Sequence, residues 1–313
     1  MLSLPLQVLV RAVLGVSANA LQKRWVMGDR PIVRLWLWTH VWMLPPALLL
    51  AVLGTRPTDG AFWWLALAAG GLDALGNLAM MQALRTTDLS VFGPLNALRP
   101  LLALTFGWLF LGELPSALGG LGVALTVVGA AVLLGDPARA VGSRGQPADP
   151  QRVQRVWAVI GWRLLGLGLS AVGAVYLKRA VGKGTAGWTL AVWVAMGGAV
   201  IGALALWQWV RAGRGEAPAS ASAAAGIRPA VGGWRGSEGW RVPLHAVLFL
   251  GMQGLTIQIF QQSLLAYAFV FFQLGMILQV IVGRVWFQEG GFVRRLTATL
   301  VMAAGAGLIL WRG

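Results

Sequence analysis

The chain has 313 residues, 58% of them hydrophobic and only 11% charged, a balance that excludes an ordinary soluble domain and points to a polytopic membrane protein. Its formal net charge of +15 does not require nucleic acid, because most basic residues lie at the ends of apolar runs or between them, where anionic lipid head groups are the nearest partners. With no cysteine, disulfides, thiolate nucleophiles and cysteine-metal sites are excluded.

Apolar runs occur at 3–22, 32–54, 61–84, 89–111, 116–134, 157–177, 187–210, 244–263, 265–287 and 293–311. Ten spans of an all-α membrane protein are expected. In the first run, Ala18-Asn19-Ala20 fits a signal-cleavage pattern, but residues 1–10 carry no basic group and Arg11 falls inside the apolar stretch, so retention as a helix is expected. The fourth run, Leu89 to Leu111, holds Asn96 and Arg99 as its strongly polar residues. At about 1.5 Å per residue it covers roughly 35 Å, enough for a bilayer core of about 30 Å. An arginine in hydrocarbon costs about 2.5 kcal/mol or more, so Arg99 and Asn96, three residues apart on one helical face, are expected to face protein, water or ligand.

Two connections are long, 135–156 and 211–243. Both are rich in Gly, Ala, Pro, Ser and Arg and lack apolar periodicity, and they read as surface linkers. The first divides the chain into 1–134 and 157–313, each with five spans. The halves share an order of features. Span 1 ends in Leu21-Gln22-Lys23-Arg24 and span 6 in Tyr176-Leu177-Lys178-Arg179, with Arg11 and Arg163 near their starts. Span 4 ends in Leu111-Gly112-Glu113 and span 9 in Phe287-Gln288-Glu289, while Gly71-Leu72-Asp73 of span 3 stands opposite Gly251-Met252-Gln253 of span 8. Because five is odd, the second half enters the membrane from the opposite face, and ten transmembrane helices as two inverted five-helix repeats are expected, an arrangement used by secondary transporters.

The lysines closing the first span of each half (Lys23, Lys178), Pro100 in span 4 and Leu111-Gly112-Glu113 resemble EamA-type members of the drug/metabolite transporter superfamily, over about residues 3–311. The resemblance implies export or import of small metabolites, amino acids or drugs through a central cavity. The chain departs from the pattern at Leu274-Gly275-Met276, where a matching proline is missing, at Gln288, which stands in place of glycine, and at Leu14-Gly15, where an aromatic-Gly pair is often found.

Within the spans, Asp73 is the only acid; with Asn77 on the same face it is the candidate proton-coupling or counter-ion group, against a static ion pair with Arg99 or Arg11. Arg99 with Asn96 could bind a substrate carboxylate or phosphate. Gln253, Gln258, Gln261 and Gln262 on span 8 and Gln273 on span 9 supply uncharged donors and acceptors, either to ligand or between helices. The substrate-binding candidates are therefore Arg11, Asn19, Asp73, Asn77, Asn96, Arg99, Tyr176, Gln253, Gln258 and Gln273.

Small residues mark packing faces: Gly119, Gly122, Thr126 and Gly129 on span 5, Gly166, Ser170 and Gly173 on span 6, Ala303 and Gly307 on span 10. Spans 5 and 10 are expected to support the cavity, and a dimer contact there is an alternative. Trp25, Trp36, Trp38, Trp63, Trp64, Trp157, Trp162, Trp188, Trp240 and Trp311 fit an interfacial belt, while Trp42, Trp108, Trp193 and Trp286 are candidates for deeper positions. His40 and His245 lack metal-site spacing and are expected to be exposed or packed between helices. No P-loop, dinucleotide motif or Ser-His-Asp set stands out.

A secondary transporter in a cell (inner) membrane is expected, binding a small-molecule substrate among membrane lipids, with proton coupling as a candidate, no cofactor, no metal, no nucleic acid, and a monomeric or homodimeric state. The alternative is a lipid-handling protein or an enzyme acting on a lipid head group. Lys and Arg crowd the connections on the side of the 1–2 connection, which places both termini outside the cytoplasm by charge, whereas the family resemblance places them inside.

Overall fold

A computed structural model describes residues 3–27, 32–84, 99–114, 116–134, 150–214, 239–287 and 292–312, and among these residues the backbone forms helices and turns without strands. The helices are α1 (Leu4–Met27), α2 (Ile32–Val52), α3 (Gly60–Leu84), α4 (Arg99–Phe106, continued by a π-helical turn Gly107–Leu111), α5 (Ala117–Leu134), α6 (Pro150–Val181), α7 (Ala186–Gly213), α8 (Arg241–Gln262), α9 (Leu265–Phe287) and α10 (Phe292–Arg312). Each falls on one of the apolar runs, and α6 is longer than its run. It starts at Pro150, inside the stretch read as linker, because proline suits the first helical position, where its missing N–H has no partner to lose.

Among the described residues, five helices are long and apolar enough to cross a bilayer, over Leu4–Gln22, Val33–Val52, Gly161–Val181, Ala186–Arg211 and Arg241–Gln262; shorter apolar stretches occupy 102–111, 117–129 and 296–305. Large apolar side chains also cover the outside. Leu49, Leu53 and Trp209 are 61%, 76% and 59% exposed, an outer surface that water would not tolerate and lipid would.

Lipid tails are as apolar as leucine, so close helix contact relies on shape, and small residues supply it. Helices α3 and α6 meet where a methyl group added to Gly166 would lie 2.8 Å from the Gly76 carbonyl oxygen and 3.0 Å from Met80 Cγ. Helices α5 and α10 meet through the span-5 stripe: a methyl on Gly129 would lie 2.8 Å from the Ala298 carbonyl oxygen and 2.9 Å from Met302 Cγ. That stripe is thus occupied within the chain.

Contacts at the helix ends define two faces of the bundle. On one, Gln262 Nε2 donates to Gln7 Oε1 at 3.1 Å, joining the start of α1 to the end of α8. There too, Lys183 in the α6–α7 turn pairs with Asp59 in the α2–α3 turn at 2.6 Å, and this hydrogen bond, with that from the Ala61 N–H, holds the exposed Asp59 carboxyl below the usual carboxylate range. On the opposite face, Trp25 near the end of α1, Leu35 of α2 and Val242 of α8 share a buried cluster.

Replacing Gly129 by valine is expected to destabilise the α5–α10 contact by about 1–3 kcal/mol through overpacking. The same change at Gly120, whose added methyl meets nothing within 4 Å, should alter stability by less than about 0.5 kcal/mol. Thermal unfolding in detergent micelles checks both; equal effects would remove Gly129 from that contact.

Candidate functional site

A cavity of about 210 Å³ lies between the halves, walled by α1, α3 and α4 from the first and by α6, α7, α8 and α9 from the second. On α1, Arg11, Gly15, Asn19 and Gln22 follow one another by four, four and three residues, so they share a face, and all four line the cavity. The Arg11 guanidinium lies 3.3 Å from the centre of the Phe272 ring, and its Nε donates to Thr256 Oγ1 at 2.9 Å. The Thr256 hydroxyl spends its own hydrogen on the Met252 carbonyl at 2.8 Å, leaving its oxygen free to accept. Stacking and this bond fix the plane of the guanidinium, and among the described residues its terminal amino groups make no further hydrogen bond.

Helix α3 brings Asp73 and Asn77. Asp73 Oδ1 accepts from the Ser170 hydroxyl at 3.1 Å, and Oδ2 accepts from the Asn77 amide at 3.2 Å, so neutral donors hold the carboxyl group. Neither Arg11 nor Arg99 forms an ion pair with it among the described residues. Arg99, at the start of the described part of α4, donates to the thioether sulfur of Met80 at 3.6 Å, a weak acceptor, and its Nε has no hydrogen-bond partner among the described residues. Arg163 of α6 is fully buried and near enough to Arg99 for their charges to act on each other, but it does not line the cavity.

The remaining wall is aromatic and amide: Trp193, Phe249, Phe260, Phe269, Phe272 and Gln253. Behind it runs a directed chain of hydrogen bonds. Thr39 donates its hydroxyl hydrogen to the Leu35 carbonyl at 2.7 Å, so His245 Nδ1, 2.9 Å from Thr39 Oγ1, carries a hydrogen and donates it. His245 Nε2 then accepts from the Gln22 amide at 3.0 Å. The ring stacks on Phe249 with centroids 5.7 Å apart and meets Trp36 edge-on at 6.1 Å, so both cavity-facing Gln22 and Phe249 are braced from behind.

At the face that carries the α6–α7 turn, the halves are tied by Glu113 and Lys178. Gly112 takes a left-handed conformation (φ 66°) that stops the π-helical turn, its N–H returning to the Trp108 carbonyl and that of Glu113 to the Gly107 carbonyl, each at 3.1 Å. This reversal aims Glu113 at α6, where its carboxylate forms an ion pair with Lys178 and also accepts the Leu265 N–H at 2.7 Å. Lys178 donates in addition to the Ser263 carbonyl at 2.7 Å. Lys178 directly follows Leu177, which lines the cavity, so the tie lies next to the cavity wall without lining it.

Residues 6–135 match the family model of the EamA-like transporter family. That is the resemblance drawn from Lys23, Pro100 and Leu111-Gly112-Glu113, now met over the first half of the chain. The match and the apolar helices support an integral membrane protein. A solved crystal structure, described simply as that of a protein, is similar with a TM-score of 0.63 and 18% identity, covering 98% of this chain and 96% of its own. At that identity the likeness establishes a shared fold. No curated protein matches the chain.

Of the residues singled out from sequence, Arg11, Asn19, Asp73, Asn77, Arg99 and Gln253 line the cavity together. Tyr176 does not: it is half-buried against Trp64, ring centroids 5.7 Å apart. Gln258 is exposed on α8 and stands outside the lining. Asn96 and the side chains of Lys23 and Gln273 lie outside the described residues. The tryptophans also divide differently from expectation. Trp36 is 3% exposed and sits in the aromatic cluster rather than at an interface, and of the four assigned deeper positions only Trp193 reaches the cavity, Trp42, Trp108 and Trp286 being exposed. Sequence reasoning passed over Ser170, counted as a packing residue, and Thr256 and Gln22. The spacing of Gln22 from Arg11 and Asn19 was the available signal.

Glu113→Gln and Lys178→Met are each expected to lower stability by up to about 3 kcal/mol, because either leaves a partly buried charge without its partner. The double variant should lose less than the sum, and a double-mutant cycle of unfolding in micelles measures that coupling. Strict additivity would show that the pair does not hold the halves together.

Proposed function

We propose that this chain is a secondary transporter of small organic metabolites, amino acids or drugs, working by alternating access in the cell (inner) membrane. Residues 1–134 and 157–313 act as inverted five-helix repeats joined by 135–156, and Arg11, Asn19, Asp73, Asn77, Arg99 and Gln253 form the substrate site.

The observation that carries this reading is a polar cavity built from both halves, with an ion pair between them beside it. The helix pairings support it. If α1 to α5 are exchanged with α6 to α10, the α3–α6 contact becomes α8–α1, α1–α9 becomes α6–α4, and α3–α7 becomes α8–α2, while α2–α7 and α5–α10 map onto themselves; all of these pairs are in contact. Two repeats of opposite orientation around a shared site would produce this pattern, and rocking of one repeat against the other would expose the site to each side in turn. The family match favours transport over an enzyme acting on lipid.

Asp73 is the proposed coupling group. Its two hydrogen-bond donors, Ser170 and Asn77, are neutral, no ion pair engages it among the described residues, and Arg99 is near enough for its charge to act on it.

Purified protein in proteoliposomes, offered a panel of amino acids, sugars, organic acids and cationic drugs under imposed pH gradients, should show flux of at least one solute. Absence of flux for every class would overturn the reading. Asp73→Asn should abolish the dependence of uptake on the pH gradient, and an unchanged dependence would assign Asp73 to helix packing.

A further inference from the structure

We propose that the cavity takes a monovalent organic anion, a carboxylate on an aromatic or apolar body about one ring in size, held between the guanidinium groups of Arg11 and Arg99. The proposal rests on the cavity being the transport site and adds the chemical class of what enters it.

The charges come first. Among the described residues lining the cavity, two arginines face one acid, Asp73, so the lining carries an excess positive charge. Arg99 is near enough to Arg11 for the two charges to repel in a water-poor interior, and the single charge of Asp73 beside Arg99 offsets at most one of them. An anion between them relieves that repulsion, whereas an organic cation would add to it.

The hydrogen bonding is also incomplete in one direction. Both guanidiniums can only donate, and between them they have two partners among the described residues, the Thr256 hydroxyl and the soft sulfur of Met80. Arg99 Nε is buried with none. Asp73, by contrast, already receives a donor on each oxygen. Among the described residues the two guanidiniums therefore have more donors than partners, and a carboxylate supplies two oxygens in the fork geometry that guanidinium matches.

Shape sets the rest. Phe272 lies flat under Arg11, and Phe260 and Phe269 pack with it, ring centroids 5.6–6.1 Å apart, so the anion-binding corner opens directly onto an aromatic wall. A cavity of about 150 Å³ holds a benzene ring. This one, at about 210 Å³, has room for a ring and a short acidic arm.

Phenylacetate, phenethylamine and 2-phenylethanol share a body and differ in charge, and they are the probes. Binding at pH 7 to the full chain in nanodiscs of zwitterionic lipid, followed by calorimetry, and flux into proteoliposomes are measured together. Phenylacetate should bind at least about tenfold tighter than either isostere. Arg99→Gln should weaken it at least about tenfold, and so should Arg11→Lys, which keeps the charge and loses the fork, with the unfolding temperature confirming that each variant is folded. Inorganic phosphate at the same concentration should compete poorly, lacking the aromatic body. Tighter binding of phenethylamine or 2-phenylethanol, or unchanged phenylacetate binding in folded Arg99→Gln, would overturn the proposal. The two claims separate cleanly: flux of neutral or cationic solutes without binding of carboxylates sinks the anion site and leaves transport standing, while carboxylate binding without flux of any solute supports the anion site and sinks transport.

Discussion

Charge cannot face lipid cheaply, and that constraint organises this chain. Arg11 and Asp73 sit well inside helices whose outer faces are apolar, at a cost of about 2.5 kcal/mol or more for each charged group left in hydrocarbon. The bundle meets the constraint by drawing α1, α3 and α4 toward α6, α8 and α9 so that polar side chains from both halves look into one hollow. Glycine stripes make this possible, since α3 can approach α6 closely only where Gly76 and Gly166 leave room. Packing and function are therefore coupled at Ser170, which belongs to the stripe and at the same time donates to Asp73.

The hollow is held differently at its different walls. Arg11 is fixed by stacking and one bond, Asp73 by two neutral donors, and Gln22 through His245 and Thr39. The Glu113–Lys178 tie is of another kind, because it joins opposite halves at a turn and not within a helix pair. Its four participants, Glu113, Lys178, Ser263 and Leu265, come from three separate turns or helix ends, so a relative movement of the halves must break both bonds that Glu113 makes to the second half. Such a contact suits a two-position device better than a continuously deformable one.

Much of this was legible in the sequence, for physical reasons that can be named. A membrane helix must be long and apolar, so each described helix falls on one of the apolar runs, five of them long enough to span, and a charged residue within a run is costly toward lipid, so Arg11, Asp73 and Arg99 were placed on the cavity side. Tyr176 and Gln258 were not, because their polarity fits an outer or packed position as well as a cavity, and spacing alone does not choose. Lys178 and Glu113 stood out as motif residues at the ends of different spans, but no periodicity within a helix reports a contact between helices distant in the chain. The directed chain from Gln22 to Leu35 was likewise illegible, since His245 gave only the sign of a lone histidine, and Trp36 read as an interfacial anchor until its neighbours were known.

The proposed account turns on a central site reached from one face at a time, with the Glu113–Lys178 tie holding the halves in that position. The chain contains no cysteine, so a single Asn19→Cys substitution reports on the cavity without further engineering. Membrane-impermeant maleimide, applied to oriented vesicles from each side, should label that position from only one side when the tie is intact, and from the opposite side as well once Lys178→Met is added. Labelling that is the same from both sides with and without the tie, or no labelling from either, would contradict it.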